Sequence, residues 1–190
     1  MRKNVPAAIF KSTSPENTAR LAAAFAAALS GGEIILLEGP IGAGKTWFTR
    51  ELARAIGIKR LPASASFGMM RSYKATKAIN GKKMNLYHFD LFRAGEEDME
   101  NLGAEEFFGR EDGVSVMEWS DAAVQISENT GYLKLSIELA GGDSRTINAY
   151  CCGKMAERFL AKAEKLWQKA NIPITLNPSP ARGEGTLGKH

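Results

Sequence analysis

Gly39-Pro40-Ile41-Gly42-Ala43-Gly44-Lys45-Thr46 follows the pattern G-x4-G-K-[ST], and its flanks give the match a physical context. Upstream, residues 33–38 read EIILLE, the near-continuous apolar run of a strand buried on both faces. Downstream, Lys45 to Ile56 continues as a helix that ends near Gly57. A strand, a glycine-rich turn and a helix in immediate succession predict an α/β fold with a phosphate-binding loop. Gly42 and Gly44 let the backbone curl around an anion without Cβ clashes, while unpaired amides and the helix N-terminus face the negative oxygens. Lys45 reaches the β- and γ-phosphates as a positive donor, and Thr46 supplies a hydroxyl for Mg2+. Gly39 makes the strand-to-loop turn, with either a purely structural role or a part in the cradle. The expected cofactors are ATP and Mg2+.

Such a loop also needs a carboxylate for the magnesium shell. Glu118 follows Val114–Met117, a short apolar strand, at the end where α/β sites collect their polar groups. Asp90 follows Tyr87-His88-Phe89 in the same manner. It is a candidate for orienting water, for holding Mg2+ through water or for coupling to a partner, with a strand-end cap as the structural alternative. The hydroxyl of Ser66 is placed to sense the γ-phosphate or to be an ordinary loop serine. Trp47 reads as helix packing rather than a purine platform. His88, with only His190 as a second histidine, supports neither a triad nor a zinc site.

Around this centre, a first helix begins near Ser14 and Pro15, with Thr13 and Glu16 as an alternative capping box. Leu21, Phe25 and Leu29 form its buried face, and Gly31 and Gly32 stop it. Residues 67–77 and 83–89 read as strands joined through Asn80 and Gly81, a pair suited to a tight hairpin. Residues 96–108 form an acidic helical segment interrupted near Gly103, and Ser120 caps a brief helix. Residues 132–139 and 144–150 make another hairpin around Gly141, Gly142 and Asp143. The sum is a mixed sheet with a parallel core, antiparallel hairpins and flanking helices.

Residues 154–170 are a helix with Met155, Phe159, Ala163, Leu166 and Trp167 on one side. Lys154, Arg158, Lys162, Lys165 and Lys169 form a basic stripe, either a solvated face or a contact for a partner or RNA. After Asn177, prolines and glycines predict a flexible end. The division is a nucleotide-binding domain over 1–150, a basic helical segment over 151–176 and a tail over 177–190.

The chain has 190 residues and a formal charge of +4. Residues 151–190 hold seven Lys or Arg against three Glu, so the first 150 residues are neutral and offer no bulk nucleic-acid surface. Cys151 and Cys152 are adjacent and cannot staple distant strands, which fits a reducing compartment. The longest apolar run in the first helix, residues 21–29, is too short to span a bilayer, and no secretory signal is read. The expected location is cytoplasmic.

With these residues in hand, the chain resembles the bacterial TsaE family, also called YjeE, over residues 13–150. The resemblance rests on Gly42-Ala43-Gly44-Lys45-Thr46, Ser64-Ala65-Ser66-Phe67, Tyr87-His88-Phe89-Asp90-Leu91-Phe92-Arg93, Leu102-Gly103 and Glu118-Trp119, in that order. It implies a small P-loop ATPase acting with TsaD and TsaB in threonylcarbamoylation of adenosine 37 of tRNA, without making the threonylcarbamoyl bond itself. It further implies Lys45 as the phosphate lysine, Thr46 and Glu118 as the magnesium pair, and Asp90 as an aspartate needed for activity. Ser66 stands where the family has threonine, and Ala65 replaces its proline, which leaves that loop less restrained. Pro40 and Ile41 depart from the family's Asp-Leu without changing a phosphate-binding side chain. Thr13 resembles a contact near the adenine and Arg145 a basic position in the last hairpin. A small-molecule kinase and a nucleotide-dependent binding module with negligible turnover are the alternatives.

Overall fold

A computed structural model describes residues 5–62, 70–92, 103–119 and 130–171. The chain begins with a short strand, β1 (Ala8–Ser12), that the sequence reading did not anticipate. It runs into helix α1 (Pro15–Ala28) through Ser14, whose extended backbone frees its side chain to accept from the Asn17 amide at 3.2 Å. Ser14 therefore takes the cap, and the alternative box from Thr13 to Glu16 is not used. Leu21, Phe25 and Leu29 are fully buried. After α1, the Glu33 carboxylate accepts from the amides of Ser30 and Gly31 at 2.7 and 2.9 Å and closes the turn into β2 (Ile34–Glu38).

Strand β2 leads directly through the glycine loop into α2 (Lys45–Ala55). The remaining elements are β3 (Met70–Tyr73), β4 (Ala78–Ile79), β5 (Lys82–Lys83), β6 (Asn85–Asp90), β7 (Gly113–Glu118), β8 (Tyr132–Leu139), β9 (Arg145–Cys152) and α3 (Lys154–Asn171). Seven strands form one sheet in the order β1-β9-β8-β2-β7-β6-β3. The central four, β8, β2, β7 and β6, are parallel neighbours, while β1, β9 and β3 pair antiparallel at the two sides. This is the mixed sheet expected from the sequence.

Two local expectations are refined. The two strands expected on either side of Asn80-Gly81 do pair antiparallel, as β3 with β6, but they are shorter than expected, and the turn itself closes a separate two-residue hairpin, β4 with β5. Both turn residues have positive φ, 51° and 80°, as a tight hairpin requires. Strand β3 ends at Tyr73 and pairs with β6 outside this small hairpin. Of the helical segment expected over 96–108, the described part, Ala104–Phe107, is a short 3-10 helix entered through Gly103 at φ 58°, where the interruption was expected. Its tight winding lets Phe107 and Phe108 both face Phe89, with ring centroids 6.1 and 6.3 Å away. Residues 96–102, Ser120 and the expected tail lie outside the described residues.

Strand alternation splits the apolar side chains between two faces. Ile35, Leu37, Leu86, Val114 and Val116 meet the three helices, and Phe25 sits at the centre of that layer. The rings of Phe10, Phe48 and Phe159 all stand edge-on to it at 5.6–5.8 Å. Ile34, Leu36, Tyr87, Phe89 and Met117 form the opposite layer under Phe107 and Phe108. Helix α3 buries Ala156, Phe159, Leu160 and Ala163 in the helix-side layer. It turns Lys154, Arg158, Lys165 and Lys169 outward, with Lys162 half-buried. Cys151 and Cys152 are both free, and burial pushes the Cys151 thiol up to about 11, which keeps it protonated.

Candidate functional site

Parallel strands carry their C-terminal ends to one edge, and here β2, β7 and β6 end in Glu38, Glu118 and Asp90. Asp90 pairs with Glu118 in register, so the two carboxylates arrive side by side. Both follow the parity of Leu86 and Val116 and point to the helix side of the sheet. The glycine loop leaves β2 at the same edge. Sequence order, strand parity and parallel pairing thus gather residues from three distant segments.

The three loop glycines have different physical roles. A Cβ on Gly39, at φ 138°, would stand 2.3 Å from the Ile137 carbonyl oxygen, so this glycine lets the loop pass against β8. Gly42 and Gly44, at φ 80° and 107°, have no atom within 4 Å of such a Cβ. They line open space in front of the α2 N-terminus. Ala43 is buried between them, and Ile41 is 75% exposed at the loop tip.

Lys45 lies folded across this loop. Its Nζ donates to the carbonyls of Gly39 at 2.6 Å and Pro40 at 3.0 Å, and stands 3.5 Å from the centroid of the Trp119 ring. Burial pulls the ammonium pKa below its usual value, while the charges of Glu118 and Asp90 act against that shift. Trp119 has φ 63°, a strained conformation for a residue with a side chain. The tight turn directly after Glu118 brings its ring over Lys45 and against Phe92, 4.7 Å away between centroids.

Beneath the lysine, Thr46 Oγ1 donates to Glu118 Oε2 at 2.6 Å. Thr49 Oγ1, one turn further along α2, donates to Glu118 Oε1 at 3.1 Å, and His88 Nε2 lies 2.9 Å from the same oxygen. Asp90 Oδ1 accepts from the Phe92 amide at 3.4 Å. Arg145 braces the loop from outside: its Nε donates to the Ala43 carbonyl at 2.9 Å, and its other nitrogens donate to the carbonyls of Gly42, Gly142 and Ser144. The guanidinium of this basic residue of the last hairpin therefore holds the backbone of the glycine loop. Thr13 is exposed, and its hydroxyl accepts from Asn17 Nδ2 at 3.4 Å. Trp47 Nε1 donates to the Pro15 carbonyl at 3.1 Å, which ties the start of α1 to the first turn of α2. Ser66 and Arg93 lie outside the described residues.

Glycine-lined space at a helix N-terminus with a lysine beside it fits an oxyanion. A hydroxyl and a carboxylate oxygen 2.6 Å apart are the hard donors that Mg2+ prefers, a set completed by phosphate and water oxygens. Thr46 and Glu118 thus suit that ion. Three contributors were not legible beforehand. His88 was set aside as lacking a triad, although its period-two relation to Asp90 puts both on one strand face. Thr49 stands three residues after Thr46, a helical spacing that points both hydroxyls the same way. Trp119 gave no signal that it would cover Lys45.

Known proteins resemble this chain over most of its length. The family model described as threonylcarbamoyl adenosine biosynthesis protein TsaE matches residues 12–147. The tRNA threonylcarbamoyladenosine biosynthesis protein TsaE of Bacillus subtilis (strain 168) is 32% identical over 163 residues, which cover 86% of this chain and 96% of that protein. Its namesake from Treponema pallidum (strain Nichols) is 32% identical, covering 72% and 96%. The crystal structure of Bacillus subtilis YdiB superposes with a TM-score of 0.64 at 29% identity, covering 86% of this chain and 96% of that one.

Proposed function

The chain belongs to the TsaE family, and from that premise we propose that it binds ATP with Mg2+ and hydrolyses it in support of tRNA N6-threonylcarbamoyladenosine biosynthesis. In this reading it acts in the cytoplasm with TsaD and TsaB and does not itself transfer the threonylcarbamoyl group. The observation that carries the reading is the convergence of Lys45, Thr46, Asp90 and Glu118 on the glycine-lined space at one sheet edge.

Loop amides and the α2 N-terminus bind the phosphates, and Lys45 exchanges its two carbonyl partners for phosphoryl oxygens. Thr46 Oγ1 and Glu118 Oε2 would hold Mg2+, which would supply neutralisation of phosphate charge when bound. Asp90 orients the attacking water beside the γ-phosphate and accepts its proton. Arg145 keeps the loop carbonyls turned outward, so that the amides stay turned inward. Adding ATP and Mg2+ is expected to release inorganic phosphate to water. Glu118→Gln, which keeps shape but loses charge, is expected to lower that release roughly 100-fold. Phosphate appearing instead on a small-molecule acceptor would replace this reading with a kinase.

The outward stripe of α3 is assigned to tRNA phosphates within the assembly. Among the described residues none of its five cations is ion-paired, so the charge is available. Changing Lys154, Arg158, Lys165 and Lys169 together to glutamine is expected to weaken tRNA association and flatten its salt dependence by up to about four units of slope. Filter binding at several salt concentrations reads this out; an unchanged slope rejects the contact.

A further inference from the structure

Glu118 is 1% exposed, yet a metal would need only one of its oxygens. The carboxylate stands among three side-chain donors that are unevenly shared. His88 Nε2 and Thr49 Oγ1 both address Oε1, at 2.9 and 3.1 Å, whereas among the described residues Oε2 receives the Thr46 hydroxyl alone. A carboxylate only accepts, so the close His88 nitrogen carries the proton. The single Thr49 proton faces two acceptors, Oε1 and the Lys45 carbonyl, each at 3.1 Å. The charged oxygen is the stronger of the two.

Each carboxylate oxygen has about two lone-pair directions, so His88 and Thr49 together fill Oε1 and leave acceptor capacity on Oε2. His88 is itself 2% exposed and held in β6, and Thr49 is fully buried in α2. The two donors therefore come from two different regular elements, a strand and a helix. Resting on the reading of Thr46 and Glu118 as the magnesium pair, we propose that His88 and Thr49 are positioning residues that lock Glu118 with Oε1 turned inward and Oε2 presented, beside Thr46, as the metal-facing oxygen. Neither residue touches nucleotide. Without them the carboxyl torsion, broad and two-fold by nature, exchanges its oxygens and the ion loses a fixed ligand.

The test measures Mn2+ binding by electron paramagnetic resonance in the presence of ADP, for wild type, His88→Leu, His88→Gln, Thr49→Val and Thr49→Ser. ADP affinity in EDTA and the thermal midpoint are recorded for each protein. His88→Leu and Thr49→Val are expected to weaken Mn2+ binding roughly 10- to 100-fold, the usual effect of removing a partner that orients a metal ligand. Glutamine at 88, which retains an N–H at similar reach, and serine at 49, which retains the hydroxyl, are expected to recover most of that loss. Affinity for ADP in EDTA is expected to stay at the wild-type value, because loop amides and Lys45 act without Glu118. Should His88→Leu fail to fold, the nearly isosteric Thr49→Val carries the same prediction. Wild-type Mn2+ affinity in both apolar variants overturns the proposal, as does a parallel loss of metal-free ADP binding or a glutamine variant as weak as leucine. If the wild type itself binds no Mn2+ with ADP, the magnesium reading fails first and takes the proposal with it.

Discussion

Lys45→Ala is expected to lower phosphate release from ATP roughly 100- to 1000-fold, the scale on which a single preorganised donor to developing charge acts. The effect is large because this ammonium sits where water is partly excluded. Burial disfavours its charge, and the nearby Glu118 and Asp90 act to keep it. A charge held in such surroundings interacts with phosphoryl oxygens more strongly than a solvated lysine would. Removing it also leaves the Gly39 and Pro40 carbonyls without their shared donor, which loosens the loop. Turnover at saturating ATP separates loss of catalysis from loss of affinity. The lowered pKa has a sign that can be checked as well: ATP binding is expected to decline on the alkaline side before an ordinary lysine would deprotonate.

Gly39→Ala is expected to destabilise the fold by about 2–5 kcal/mol, combining a positive φ with a collision against backbone. The colliding atom is the Ile137 carbonyl oxygen, 2.3 Å from the added Cβ, and it belongs to a strand paired on both sides. Gly42→Ala meets nothing within 4 Å and is expected to cost only about 1–2 kcal/mol, the strain of a positive φ. Its methyl group instead enters the space assigned to phosphate, so nucleotide affinity falls while the fold survives. Thermal melts and ATP titrations on the two variants are expected to give opposite patterns. Equal stability loss at both positions would remove the distinction between a packing glycine and a cradle glycine.

This pair of variants also marks the border of what the sequence discloses. A contiguous motif between an apolar run and a helix announces the loop, because every interaction it needs is local. Glu118 and Asp90 were legible for a related reason, since each ends a short apolar strand and parallel strands deliver such ends to one edge. Nothing local says that Gly39 passes under Ile137, or that His88 and Thr49 converge on a carboxylate 30 and 69 residues further on. Those contacts depend on strand order, which periodicity does not encode. The hairpin around Asn80-Gly81 was legible in part. Its turn and the antiparallel pairing of its two strands, β3 with β6, follow from the sequence, but turn chemistry fixes only the residues beside it, and the small β4–β5 arms between those strands gave no separate signal. Strand β1 is short, with its edge residues exposed, and gave no comparable signal until β9 was there to pair with it.

The central claim is that this site hydrolyses ATP and that its turnover is tied to an assembly. It is tested most directly by phosphate release from ATP and Mg2+, measured alone and with the cognate TsaD and TsaB proteins, for wild type and Asp90→Asn. The account predicts that the pair stimulates the wild type, and that Asp90→Asn still binds ATP but loses at least roughly 100-fold in turnover. Phosphate release that is indifferent to TsaD and TsaB, or that is undiminished in Asp90→Asn, would contradict it.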